Sequence, residues 1–351
     1  MKKLVILIFG IAAFSLLSSC EKWRTGDEME ITFTAETFVP QVETRAHLFE
    51  NMESFKTLAL AGGAGGYGGY FHVDAYYTYN NTSPYLLIDS DLLYYEDGGS
   101  WRFYEPPQQG QQSGKFLTYY WPNNDNYKLD FFAYAPRYAA DYSRDKLYQS
   151  YVSVDNALIP PEFTVDLPVD GADHNELVEF MYAYTPDQTK GSNPVNLEFQ
   201  HPFAAVSFNL KQARVGLEIE ELGFHEMYKR GTYSKNDKNN LWSVKSWEAD
   251  DTASLSIKNI STSVGQLGGT YLVLPQSKDR DGFVFYIKYL LDENNDGKKD
   301  PHYRTASIGL DWEQGKKYTY NLDLGSSLDG VYFTVSVDQW DKIYDHIIPI
   351  E

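Results

Sequence analysis

Cys20 is the one cysteine in 351 residues, and it stands where an apolar run ends. Lys2 and Lys3 lead into the stretch from Leu4 to Leu17, which closes as Leu17-Ser18-Ser19-Cys20. A basic start, a short apolar run and small residues before a cysteine are the parts of a lipoprotein signal peptide. Residues 1–19 would be removed and the Cys20 thiol acylated. An ordinary signal peptide that happens to end beside a cysteine is the other reading, and either one exports the chain. The run is too short for a spanning helix. With Cys20 lipidated, the exported chain has no thiol left for a disulfide, a nucleophile or a soft metal.

A second set of candidate ligands is Asp292, Asn294, Asp296 and Asp300. With Gly297 in sixth place they occupy positions one, three, five and nine of a calcium loop, where hard oxygen donors belong. Position twelve is Tyr303 instead of the chelating glutamate, and the flanks read as the strands of a hairpin. A solvated Asp296-Gly297 turn is therefore preferred, with calcium the alternative; no other cofactor is expected.

Catalytic patterns fail on context. Gly63-Ala64-Gly65-Gly66-Tyr67-Gly68 spells a phosphate-loop pattern, but the residues after Gly68 read as a strand, so no helix N-terminus is on hand for a pyrophosphate. His225-Glu226 lacks the second histidine of a zinc motif, and the seven histidines are scattered. His201-Pro202 lies between two strand-like runs and is read as a structural turn. No enzyme is expected.

Burial of apolar side chains must hold the fold, and the composition suits sheets: 29 Tyr, 20 Phe and 7 Trp fit pleated surfaces with large cross-strand neighbours. The formal charge of −19 becomes −21 once Lys2 and Lys3 leave with the leader. A surface of that sign repels phosphate backbones, so nucleic acid is not an expected partner. Period-two alternation recurs along the chain, and a helical period does not. Met29, Ile31, Phe33 and Ala35 alternate with Glu30, Thr32 and Thr34. Further strands are predicted at residues 129–134, 195–199, 205–210, 255–257, 271–274, 283–289 and 318–322, with turn residues between them. Residues 85–96 and 137–160 are less periodic, and residues 138–149 are a candidate short helix. The turn-forming cluster Gly191-Ser192-Asn193-Pro194 is the expected boundary between two domains.

Several segments, in order, resemble the fimbrillins of Bacteroidales. They are Tyr119-Tyr120-Trp121-Pro122 with Leu129-Asp130-Phe131-Phe132-Ala133-Tyr134-Ala135-Pro136, then residues 197–208 with Gln200-His201-Pro202-Phe203 at their centre. Lys229-Arg230-Gly231-Thr232-Tyr233, Leu272-Val273-Leu274-Pro275-Gln276 and residues 312–320 complete the set. The resemblance implies an all-β protein of two tandem, transthyretin-like β-sandwich domains. Its parts would be a leader at 1–19, a pro-segment at 20–45, and sandwiches at 46–193 and 194–351.

The resemblance also implies a function carried by the two chain ends. Fimbrillins are exported as outer-membrane lipoproteins, cut by an arginine-specific protease after the first strand, and polymerised when a neighbour's strand fills the vacated place. The matching arginine is Arg45, with Ala46 as the new N-terminus; no other arginine stands between Arg24 and Arg102. The strand lost would carry Met29, Ile31, Phe33 and Ala35. The candidate donor holds Val331, Phe333, Val335 and Val337, followed by Trp340, Ile343, Ile347, Ile348 and Ile350. Two readings of that tail stay open: a last core strand of the second domain, or an intrinsic 331–337 with a donated 340–350. Expected partners are other fimbrial subunits, a surface receptor, and the outer membrane through the lipid. The alternative is a monomeric glycan-binding lipoprotein stacking sugars on Tyr67, Tyr70, Trp101 and Trp121.

Overall fold

The computed structural model describes residues 29–37, 70–78, 84–96, 100–105, 113–124, 126–137, 151–155, 162–170, 179–233, 242–243, 252–258, 260, 263–277, 284–294, 296–307, 311–325, 332–339 and 347–349. The regular elements among them are strands and one 3-10 turn, Lys190–Ser192. The candidate helix at 138–149 and the glycine-rich loop at 63–68 lie outside the described residues.

Eight strands form the first sheet: β1 (Phe33–Thr37), β2 (Tyr70–Thr78), β3 (Tyr85–Glu96), β4 (Ser100–Glu105), β5 (Lys115–Phe116), β6 (Lys128–Arg137), β9 (Met181–Gln188) and β10 (Val195–Phe199). Their order is β10-β1-β4-β3-β2-β6-β9, with β5 on β4. A bridge between Tyr182 and Gln200 ties the two ends of that order, so the sheet wraps on itself. Alternate side chains point inward and make one core, among them Phe71, Val73, Phe103, Leu129, Phe131, Ala133 and Leu197.

A small sheet of β14 (Trp242–Ser243), β13 (Arg230–Tyr233), β8 (Glu162–Asp166) and β7 (Val152–Asp155) runs in that spatial order. A five-stranded sheet runs in the order β16-β11-β19-β20-β21: β16 (Gly265–Val273), β11 (Ala204–Ala213), β19 (Lys316–Leu324), β20 (Tyr332–Gln339) and β21 (Ile347–Pro349). Its partner sheet is β15 (Thr252–Lys258), β12 (Glu218–Tyr228), β17 (Val284–Leu291) and β18 (Asp300–Ser307). Phe208, Phe224, Phe285, Trp312 and Tyr320 meet between these two sheets.

A third apolar cluster joins the halves. Phe132, Tyr134 and Tyr182 from the outer face of the first sheet meet Phe163, Tyr233, Ala205 and Leu272. Period two explains how one strand serves two cores. On β6, Leu129, Phe131 and Ala133 face the first core while Phe132 and Tyr134 face the third. On β11, Ala204 and Val206 face the second core while Ala205 faces the third. At these positions neither face of β6 is left to solvent.

Two sequence expectations change. Residues 85–96, which lack clean alternation, form the twelve-residue β3; its ladder with β2 shifts register around Ala75, and such bulges scramble period two. The turn cluster at 191–194 precedes β10, which belongs to the first sheet; the change of sheet comes between Phe199 and Ala204. The parallel pairing of β10 with β1 spans some 160 residues, beyond the reach of any local turn signal.

Candidate functional site: the seat of the first strand

β1 lies inside its sheet, with β10 on one side and β4 on the other. The pairing with β10 is parallel, from Phe33 opposite Val195 to Thr37 opposite Phe199, and that with β4 is antiparallel at Phe33 opposite Trp101. The chain just before it is held as well. Ile31 N donates to Tyr119 O at 2.8 Å, Trp121 N donates to Met29 O at 3.0 Å, and Val195 N donates to Thr32 O at 2.8 Å.

The inward face is apolar and tightly seated. Ile31, Phe33 and Ala35 are buried. The Phe33 ring stands edge-on to both Phe103 and Phe131, each with centroids 5.4 Å away. Burying side chains of this size contributes about 1.5–3 kcal/mol for each of the larger two. Met29 departs from the expected alternation: it is 41% exposed and lies before the strand proper.

The outward face is polar and equally specific. Asn193 Oδ1 accepts hydrogen bonds from Thr32 N at 2.9 Å, Thr32 Oγ1 at 3.2 Å and Trp121 Nε1 at 3.3 Å. Thr34 Oγ1 donates to Asn196 Oδ1 at 3.1 Å. Sequence reading missed both asparagines. It placed Asn193 in a turn cluster at a domain boundary, and nothing local marks an asparagine that works across 161 residues.

At the other end of the chain, β20 pairs along its length with β19, from Tyr332 opposite Asp323 to Gln339 opposite Lys316. β21 pairs antiparallel on β20, with Val335 opposite Ile348, and closes that edge of the five-stranded sheet. Val335 is buried in the second core and Val337 packs partly against it. Ile347 and Ile348 are placed by this pairing. Cys20, Arg45, Ala46, Val331, Trp340, Ile343 and Ile350 lie outside the described residues.

The remaining candidates fall elsewhere. Asp292, Asn294 and Asp296 bind the turn that joins β17 to β18. Asp292 accepts from the backbone N of Asp296 and of Gly297 at 3.1 and 2.9 Å, and Asp296 accepts from Lys298 N at 2.8 Å. Asp300 begins β18 opposite Leu291. Among the described residues no group of three or more His, Cys, Asp or Glu is placed to hold a metal ion. His201 is buried where the first sheet passes into the second, and its Nδ1 contacts Glu179 Oε1. Trp101 and Trp121, sugar platforms in the alternative glycan-binding reading, are each 4% exposed and belong to the first core. Large aromatic side chains on a β strand gain more from the interior than from water, so burial alone accounts for that correction.

A family model described as fimbrillin-like matches residues 104–340. The chain belongs to the fimbrillin-like family. That family is structural and adhesive, and its members are not enzymes. Among solved structures, a fimbrial protein from Bacteroides vulgatus superposes with a TM-score of 0.60 at 16% identity, over 88% of this chain and 99% of that one. A proposed cell adhesion protein from Bacteroides ovatus gives 0.55 at 14% identity, over 91% and 99%. At these identities the likeness is one of fold. No curated protein matches the chain by sequence.

Proposed function

We propose that this fimbrillin-like chain is a subunit of a surface fimbria, exported as a lipoprotein through Cys20 and polymerised by strand exchange after cleavage at Arg45. Two tandem sandwiches, meeting between Phe199 and Ala204, would form the unit. The observation that carries the reading is the position of β1: an interior strand, paired on both sides, yet next to the chain's N-terminal end. Taking residues 20–45 away would leave β10 and β4 facing each other across a strand-wide gap. Their ladder groups would lack partners and the places of Ile31 and Phe33 would be empty, both costly to leave unfilled. An extended segment of a second copy supplies what is missing, main-chain partners and alternate apolar side chains. The segment from Val331 to Ile350 is the candidate, since β20 and β21 are the last two strands in the order of their sheet.

The test uses purified residues 20–351 and an arginine-specific protease. Cleavage giving Ala46 as the new N-terminus should produce a ladder on unheated gels, and Arg45→Ala should abolish it. A uniform monomer after clean cutting at Arg45 would reject polymerisation by this route.

A further inference from the structure

The outward face of the sheet β15-β12-β17-β18 carries an ordered group of polar and aromatic side chains that takes no part in strand exchange. β12 bulges against β15 between Phe224 and Met227, and within the bulge Glu226 holds a φ of 60°, a conformation that costs any residue with a Cβ. A bulge re-aims the side chain beside it. That side chain is His225. Its ring lies flat on Tyr286, with centroids 3.9 Å apart and planes 9° from parallel. Both ring nitrogens are tied: Nδ1 is 2.8 Å from Ser254 Oγ and Nε2 is 2.9 Å from Tyr303 Oη. Tyr286 lies opposite Gly223 on β12, where a Cβ would crowd its ring and run into Leu255 O. The Tyr286 hydroxyl donates to Glu221 Oε1 at 2.7 Å, Ser256 Oγ donates to the same oxygen at 2.8 Å, and Lys288 Nζ donates to Glu221 Oε2 at 2.8 Å. Tyr303 is thereby held at its hydroxyl while its ring stays 48% exposed.

The surroundings of that ring select its occupant. A protein partner needs an apolar centre built from several side chains. Tyr303 instead stands opposite Lys288, and the next outward position of its strand is the exposed Thr305. Charge disfavours ions of either sign. Glu221 and Lys288 neutralise each other, burial and the Lys288 charge push the His225 pKa down so that its ring is uncharged, and the chain's net −19 repels anions. A cation would have to compete with Lys288 for Glu221. What remains free is one planar ring, two further N–H donors on Lys288 and one lone-pair position on Glu221 Oε2. A sugar matches that set, with a C–H face for the ring and hydroxyls that both accept and donate. We propose that Tyr303, Lys288 and Glu221 form a binding site for an uncharged pyranose of a glycan, stacked on Tyr303 and hydrogen-bonded to Lys288 Nζ and Glu221 Oε2. The bulge, Gly223 and the His225–Tyr286 stack set the platform in place before the sugar arrives, which lowers the ordering cost of binding.

The experiment uses residues 20–351 carrying Arg45→Ala, an uncut chain, on an array of immobilised neutral and acidic oligosaccharides, followed by calorimetric titration of the soluble form of each one that binds. Binding to neutral oligosaccharides is expected. Tyr303→Ala should weaken it about tenfold or more, the scale of a lost ring contact. Lys288→Met, which keeps the length of the side chain and removes its donors, should weaken it about fivefold. Tyr85→Ala, which removes an exposed ring from the first sheet, should leave it unchanged. Urea midpoints of the three variants show whether each keeps its fold. No binding to any neutral oligosaccharide, or binding confined to acidic ones, would overturn the site. So would a folded Tyr303→Ala chain that binds as tightly as the native one. None of these outcomes touches strand exchange, which the uncut chain does not undergo.

Discussion

Asn193 Oδ1 takes the indole N–H of Trp121 at 3.3 Å and, on the same oxygen, the backbone N–H of Thr32 at 2.9 Å. One side chain thus links the entry to β10, the segment beside β5 and the entry to β1. Half-buried donors that lose such an acceptor retain their desolvation cost.

Asn193→Ala should therefore lower stability by about 2–3 kcal/mol, the sum of a lost neutral bond and two donors left short. Asn193→Asp, which keeps an acceptor oxygen at the site, should recover part of the loss. Urea unfolding of the two variants beside the native chain measures both. A drop below about 0.5 kcal/mol for Asn193→Ala would mean that the three bonds do not act together.

Phe33→Ala removes the ring that fills the space between Phe103 and Phe131. Truncating a buried phenylalanine costs about 3–5 kcal/mol. The loss should concentrate in the first sheet, because β1 belongs to the first core and contributes no residue to the second. Amide exchange is the decisive readout: faster exchange is expected at Val195–Phe199 and Ser100–Glu105, with β12 and β17 unchanged. Equal acceleration around both cores would show instead that they unfold as one.

Much of this architecture was legible in the residues themselves. The strand at residues 195–199 has the bounds that the sequence predicts, and the strand predicted at 129–134 lies within β6. Alternation also placed Ile31, Phe33 and Ala35 on one buried face. It failed where bulges break the period, as in β3, and at Met29, where the strand has not yet begun. The seat of β1 was not legible as a site, because its makers are spread over residues 101–131 and 193–199. Trp101 illustrates the limit: a tryptophan on a strand reads the same in sequence whether it faces a core or a ligand. Composition raised the aromatic count, and only the sheet's wrap told which rings are inside.

His201 and Glu179 form a buried pair where β10 passes into β11, beside the cluster that joins the halves. Removing one member takes a buried hydrogen-bonding partner from the other. Either His201→Ala or Glu179→Ala should cost about 3–5 kcal/mol, while removing both should cost less than the sum of the two. A double-mutant cycle in urea measures the difference. Strict additivity would mean that the contact carries no coupling.

Glu221 gives a pH dependence with a defined sign. Its partial burial would raise its pKa, but hydrogen bonds from Lys288 Nζ at 2.8 Å, Tyr286 Oη at 2.7 Å and Ser256 Oγ at 2.8 Å hold the carboxyl down, from an ordinary 4.5 to about 2. A carboxyl whose pKa is lower in the folded chain stabilises the fold fully above its ordinary value. That contribution fades as pH falls from about 4.5 through about 2. Solvent around the half-exposed Lys288 weakens the pairing, so the contribution is about 1–2 kcal/mol. Glu221→Gln should be less stable than the native chain at about pH 7 by that amount, and the two should converge as pH falls toward about 2. Urea midpoints at about pH 7, 4 and 2.5 read this directly. A gap that stays constant across the three would assign the loss to packing against Tyr286 instead of to charge.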